Sequence, residues 1–178
     1  MSRLTDIDNY LVVENGQIKE STFKQDIQIQ NQTLTINEDA KVQIIYKVTQ
    51  EGDYRFNITL KERLHVDLIE MYEVSTKCRF TKNIKVNESC EVLRYVEKNS
   101  QENISIDLDE NVDVCANAHI SCAYVELTDY STFSKVKYQL LEEGASVRLR
   151  LASLSKELEH KHYEMTLEHL APHTYGDM

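Results

Sequence analysis

Apolar and polar residues alternate through most of this chain, and one short phrase interrupts the alternation five times. The phrase is apolar-x-Glu-x-apolar-x-apolar, where x is any residue. Its glutamates lie 24, 26, 22 and 33 residues apart and are Glu38, Glu62, Glu88, Glu110 and Glu143. Repeats of roughly 20 to 50 residues are typical of stacked, solenoid-like folds. The pattern therefore predicts a repetitive β architecture.

The place of the glutamate within the phrase predicts a bend. Leu34, Ile36, Ala40 and Val42 alternate as one apolar face of a strand, and Glu38 shares their parity. A straight strand would carry all five carboxylates into the core, at a large desolvation cost. We therefore expect the chain to turn a corner at each phrase, with the glutamate facing solvent. An antiparallel sandwich is the alternative, although it gives no reason for five matching phrases.

Strict alternation predicts strands between Thr33 and Leu167, where Val, Ile, Tyr and Thr suit a half-buried pleat. The longest run covers residues 112–122 and reads as one continuous strand. On that strand Cys122 faces the core and Cys115 faces solvent. Helical periodicity is poor throughout, so the fold class we predict is all-β.

The segment 149–158 is ambiguous, because its leucines also fit helical spacing. Arg148 and Arg150 alternate around them, which favours a strand followed by a turn at 153–156. Residues 1–30 are the least regular and are predicted to form an irregular N-terminal edge or cap. Residues 31–178 are predicted to form the β-helix domain, with no linker or second domain.

Composition narrows the possible partners. The formal net charge is −10 and the sequence pI is about 5.1, which disfavours nucleic acid and anionic membranes. Hydrophobic residues make up 41%, enough for a core. The sequence shows neither a secretory peptide nor a transmembrane run, so we expect a cytoplasmic protein. In that compartment its cysteines should be free thiols, although their even number leaves a disulfide open; they are Cys78, Cys90, Cys115 and Cys122.

No familiar catalytic motif is present. A Gly-rich phosphate loop, a nucleophile elbow and a His-Glu-x-x-His helix are all missing from the sequence, so we do not expect an enzyme. His160 and His162 have a spacing that can bind zinc or copper, but their parity points them to solvent. His169 shares the apolar parity and is either a satisfied core histidine or a functional residue. Cys90 occupies an apolar slot and should be core.

A motif near the end of the chain carries a family resemblance. A rung with Gly144 and Ala145 is followed by His-x-x-Pro-x-(Ser/Thr)-x-(Ser/Gly)-Asp. This combination resembles the SufB/SufD family, the scaffold subunits of the SUF iron–sulfur cluster assembly system. The matching residues of the second motif are His169, Pro172, Thr174, Gly176 and Asp177.

The resemblance implies a right-handed parallel β-helix, or β-solenoid. It also implies association with a SufC-like ATPase and a SufB/SufD-type scaffold subunit, with a transient iron–sulfur cluster at the subunit interface. His169 lies in the matched motif and is therefore a candidate cofactor-binding residue. Cys115 and Cys122 are further candidates, chosen because thiolates bind iron and not because they match the family.

The resemblance does not extend over the whole of the family's fold. The family's β-helix continues past the motif, whereas this chain ends at Met178, so the resemblance implies a chain truncated in its C-terminal part. The family's later cluster ligands and its ATPase-docking helices have no counterpart here and are not transferred. We also expect the last rung to be buried in a homo-oligomer or by a companion chain, because an open rung is a template for pairing.

Three functions compete at this point. The first is a non-catalytic scaffold of iron–sulfur cluster assembly. The second is a metal-free β-solenoid used for interaction or oligomerisation. The third, a carbohydrate-active β-helix, is disfavoured because the chain has no Trp for a sugar platform and no secretion signal.

Overall fold

The computed structural model describes residues 7–100, 103–156 and 159–178, and these residues form a β-solenoid of about five turns. Two mainly parallel sheets enclose a common core, and the chain passes from one sheet to the other within each turn. No helix occurs in the described ranges. The predicted all-β parallel solenoid is confirmed.

Fifteen strands lie in the described residues. In chain order they are β1 (Asn9–Glu14), β2 (Gln17–Thr22), β3 (Ile27–Gln30), β4 (Thr33–Ile36), β5 (Ala40–Val48), β6 (Gly52–Leu60), β7 (His65–Val74), β8 (Cys78–Val86), β9 (Glu91–Ser100), β10 (Ile106–Val114), β11 (His119–Glu126), β12 (Thr132–Leu140), β13 (Ser146–Ser153), β14 (Lys161–His169) and β15 (Tyr175–Asp177). The first sheet has the order β2-β1-β5-β7-β9-β11-β13-β15, and the second has β3-β4-β6-β8-β10-β12-β14.

Neighbouring parallel strands pair in register, so equivalent residues stack in columns. One column of the second sheet starts at Ile36 and continues through Leu60, Val86, Val114, Leu140 and His169. Because side chains alternate across a strand, every second column faces the core. In the core Tyr46 and Tyr72 stack with ring centroids 4.6 Å apart, and the Phe80 ring lies edge-on to both.

The N-terminal end is closed by antiparallel strands. β2 pairs antiparallel with β1, and β3 pairs antiparallel with β4. The described residues between 7 and 30 therefore form strands where the sequence predicted an irregular cap. They still occupy the capping position, because β2 and β3 cover the edges of β1 and β4 with short antiparallel strands.

Four of the five glutamate phrases mark corners, as predicted. Glu38, Glu62, Glu88 and Glu143 are exposed and lie in bends or turns between strands of the two sheets. Glu110 contradicts the prediction, because it lies in the middle of β10 and is 0% exposed. A buried carboxylate is tolerated here because the basic side chains of Lys82 and Arg94 surround it.

The corner of that turn lies after β10, at residues 115–118. The run 112–122 is therefore two strands and not the one continuous strand that its alternation predicts. Asn117 has a left-handed backbone with φ of 52° and helps to reverse the chain. Cys115, predicted to face solvent, lies inside this corner and is only 8% exposed.

The strand predicted at Leu149 is confirmed, since β13 runs to Ser153. Leu158, the last leucine of the ambiguous segment, lies outside the described residues. All four cysteines are free thiols, as predicted, and all four are buried. Cys90 is in the core, as its apolar slot predicts. In the described part of the chain, no helix is long and apolar enough to cross a membrane.

Candidate functional site

The motif that carries the resemblance builds the end of the solenoid, which we call the last rung: residues 146–156 and 159–178, with β13, β14 and β15. His169 is the final residue of β14, and its Nδ1 lies 2.8 Å from Thr174 Oγ1. Thr174 Oγ1 in turn donates to the Ala171 carbonyl at 3.1 Å. His169 is exposed, although its parity predicts a core position, because no further strand of the described chain covers β14.

Two other motif residues close the same corner. A side chain at Gly176 would meet the end of the Leu167 side chain, so any other residue here would force Leu167 to move. Asp177 accepts a hydrogen bond from Arg150 Nη2 at 2.8 Å and lies 3.4 Å from Arg148 Nε. The hydrogen bond from Arg150 holds the pKa of Asp177 below its usual value. The motif therefore has a structural explanation in this chain, namely the docking of β15 on β13.

The last rung presents free strand edges. In the described residues the second sheet ends at β14, and β15 pairs with only the first three residues of β13. Five of the nine large apolar side chains that the described residues expose also lie at this end: Leu151, Leu154, Leu170, Tyr175 and Met178. Unpaired backbone groups beside apolar side chains are a template for another β-strand.

The three candidate cofactor residues do not converge. Cys122 lies in β11 and faces the core, whereas Cys115 lies in the corner before that strand, with its Sγ 4.0 Å from Asn87 Oδ1. Val114, which precedes Cys115, is separated from His169 by Leu140 of the intervening strand. Burial raises the pKa of both thiols, so neither is an exposed thiolate.

A buried ionic network is the most unusual feature of the core, and sequence reasoning missed it. It consists of Glu70, Lys82, Arg94 and Glu110, whose side chains are all 0% exposed. Arg94 donates from Nη1 and Nη2 to the two oxygens of Glu110 at 2.7 and 2.6 Å, and from Nε to Glu70 at 2.7 Å. Lys82 contacts Glu70 and lies 3.6 Å from Glu110. Two cations thus balance two carboxylates.

Tyrosines complete the network. Tyr124 donates to Glu110 at 2.6 Å and lies 2.8 Å from the Tyr138 hydroxyl, and Arg94 contacts both hydroxyls. Burial alone would raise the pKa of Glu110, but the Arg94 charge and its hydrogen bonds hold it down at about 2. Burial, with the nearby Arg94 charge, lowers the pKa of Lys82 to about 7.

A second buried pair lies closer to the last rung. Lys98 contacts Glu126 at 2.5 Å and Ser134 Oγ at 2.5 Å. Glu126 also accepts from Tyr163 at 2.6 Å and from the Thr128 hydroxyl at 2.5 Å. Both networks are closely packed and satisfied by their own partners, so they stabilise the stack and do not offer a substrate-binding site.

One signal in the sequence could have located these networks. Glu70, Arg94, Lys98 and Glu126 all share the parity of the apolar residues in their strands, and so does Lys82. A charged residue on an apolar parity needs an opposite charge nearby. Which charges meet, however, depends on the register between strands.

Neither family models, nor curated proteins, nor solved structures match this chain. Across the described ranges, no group of three His, Cys, Asp or Glu side chains stands ready to hold a metal ion. The fold and the last rung together define a class of protein: a parallel β-solenoid with an apolar, partly unpaired terminal rung.

Proposed function

We propose that this protein is a non-catalytic, cytoplasmic scaffold of SUF-type iron–sulfur cluster assembly that acts by associating with other proteins through its last rung. The proposal rests on one observation: β13 and β14 present free strand edges, and exposed apolar side chains flank those edges. Such an edge binds another β-rung through main-chain hydrogen bonds, while the apolar side chains supply the hydrophobic contact.

The resemblance to the SufB/SufD family supplies the setting. Its motif residues lie in this same rung, and its implied fold is the parallel β-solenoid. The partners we propose are therefore a SufB/SufD-type scaffold subunit, paired against β13 and β14, and a SufC-like ATPase. A homo-oligomer through the same surface is the simpler version of the proposal.

An iron–sulfur cluster would be the cargo of this assembly and not a resident group. His169 is the candidate ligand closest to the proposed interface, since it ends β14 and is exposed. Its Nδ1 is engaged with Thr174, which leaves Nε2 for a ligand. Cys115 and Cys122 are buried, so they would serve only if the solenoid opened around them.

Association is tested by binding measurements with a SufB/SufD-type subunit and a SufC-like ATPase. Leu170→Lys and Leu154→Lys place charge on the last rung, and we expect each to weaken binding at least about tenfold, because an unpaired buried charge costs well over 1.4 kcal/mol. Leu93→Lys is the matched control, since Leu93 is as exposed but lies on the outer face of the first sheet. Equal binding by all three variants, or no binding by the wild type, contradicts the proposal.

Cargo is tested separately by anaerobic reconstitution with iron and sulfide in the presence of the partners. We expect cluster absorbance in the wild type and its loss in His169→Ala. The second candidate function, a metal-free β-solenoid interaction module, uses the same surface and needs none of these ligands. It is preferred if His169→Ala and the cysteine variants leave partner binding intact and no cluster forms.

A further inference from the structure

The outer face of the first sheet carries a column of metal-binding residue types. His65, Glu91 and His119 are the first residues of β7, β9 and β11. His65 pairs in register with Glu91, and Glu91 pairs in register with His119. Adjacent strands are about 4.8 Å apart, so the glutamate lies between the two histidines, one strand from each. All three are exposed.

The first two side chains already have a suitable separation. His65 Nε2 lies 3.1 Å from Glu91 Oε2. With bonds of about 2.0–2.2 Å, two ligands of a tetrahedral zinc ion lie about 3.3 Å apart. The same distance suits a hydrogen bond between the two side chains.

Polar groups of neighbouring residues lie beside both imidazoles. Asp39 Oδ1 accepts a hydrogen bond from the His65 backbone N–H at 2.8 Å, and its Oδ2 lies 3.9 Å from His65 Nδ1. On the other side, His119 Nδ1 is bonded to Ser146 Oγ, which leaves Nε2 for a ligand. Metal-binding histidines usually engage their second ring nitrogen with an outer-shell group. Ser146 is such a group for His119, whereas Asp39 acts on the His65 ring only as a nearby charge.

We propose that His65, Glu91 and His119 bind a divalent transition-metal ion on the outer face of the first sheet, with Zn²⁺ the best match to two imidazoles and one carboxylate. A water completes the tetrahedron, as in zinc sites with three protein ligands. The side chains as placed do not converge on one point. Convergence needs the exposed His119 side chain to move toward Glu91, away from the position in which Ser146 holds it in this structure. No buried side chain has to move with it.

Charge favours the same site. The net charge of −10 raises the local concentration of cations around the protein. Asp39 adds a fixed negative charge beside His65, and its backbone hydrogen bond keeps it there. The three proposed ligands lie outside the last rung, so zinc binding can be tested independently of the proposed function.

The test is calorimetric titration of the untagged full chain with ZnCl₂ in metal-free buffer at neutral pH. We expect one high-affinity ion per chain, and a Co²⁺-loaded sample should show the strong visible absorbance of tetrahedral cobalt. His119→Ala and Glu91→Gln should each weaken binding at least about tenfold, the scale on which even outer-shell changes act. Both residues are exposed, so we expect the variants to fold, which far-UV circular dichroism checks.

The matched control is His162→Ala, because His162 is an exposed histidine on the outer face of the second sheet, stacked on Phe133. Its zinc affinity should equal that of the wild type. The proposal is overturned if the wild type binds no Zn²⁺ below millimolar concentration. It is equally overturned if His119→Ala and Glu91→Gln bind as the wild type does, or if only the control loses binding.

Discussion

Replacing Arg94 with Met is the sharpest test of the buried network. Arg94 makes five hydrogen bonds there, to Glu70, Glu110, Tyr124 and Tyr138. Met fills a similar volume without charge, so the variant removes the guanidinium and changes the packing little. Two buried carboxylates are then left with Lys82 as their one cation.

The expected cost follows from that imbalance. Removing one partner of a buried ion pair costs about 3–5 kcal/mol, because the remaining charge is desolvated and unpaired. Domains of this kind are stable by only about 5–15 kcal/mol, so the variant should lose a large share of its free energy of unfolding. If part of the chain is marginal, the turns around β7–β10 will unfold first.

A second replacement separates charge imbalance from lost packing. Arg94→Met combined with Glu110→Met leaves one cation and one anion, Lys82 and Glu70, which already contact each other. Apolar replacement of a whole buried pair is often nearly neutral. We therefore expect the double variant to be more stable than the sum of the single losses predicts, with a coupling free energy of about 2–3 kcal/mol.

The assay is urea unfolding at neutral pH, followed both by far-UV circular dichroism and by tyrosine fluorescence, since the chain has ten Tyr and no Trp. Coincident transitions justify two-state free energies. A loss below about 1 kcal/mol in Arg94→Met, or additive losses in the double variant, would refute the view that these charges depend on each other.

Three further predictions test other features. The pKa of Glu110 falls from 4.5 to about 2 on folding, so the stabilisation from its ionised form is complete above pH 4.5 and is lost as the pH falls toward 2. Urea unfolding over this pH range should show the free energy of unfolding fall by on the order of 3 kcal/mol. An unchanged pH dependence in Arg94→Met/Glu110→Met would contradict this prediction. All four thiols are buried and burial raises the pKa of Cys78 to about 12, so a thiol reagent should label them slowly in the native protein and rapidly in denaturant; rapid native labelling of all four is the contrary result. Gly144→Ala should cost about 1–3 kcal/mol, because φ is 75° and the new methyl meets Asn117, whereas Gly52→Ala, at an ordinary φ, should cost less.

The register between the strands determines which charges meet in these buried networks. Glu70, Arg94 and Glu110 come from β7, β9 and β10, and their contacts require the in-register pairing of the strands. A slip of two residues would keep each of these charges inside the core but separate it from its partner, which leaves buried charges unpaired. The buried charges thus penalise wrong registers, a cost that an apolar core would not impose.

The motif from His169 to Asp177 could be located from local sequence, but the exposure of its histidine could not. The motif lies in the last corner, where Leu167 packs against Gly176 and Asp177 accepts a hydrogen bond from Arg150. The sequence identified these residues as a unit, but parity alone misjudged His169. Burial on an inward parity requires a further strand above it, and the described chain has none over β14.

The sequence by itself determined the alternation, the all-β character of residues 33–167 and four of the five corners, because these depend on neighbouring residues in the chain. Tertiary structure decided the rest. Glu110 shows why, since its corner lies after β10 and its carboxylate is buried. Residues from three other strands surround it: Arg94 and Lys82 balance its charge, and Tyr124 donates a hydrogen bond. Desolvation of a charge is a property of its surroundings, and those surroundings are assembled by the lengths of the corners, which set the register of residues far apart in the chain.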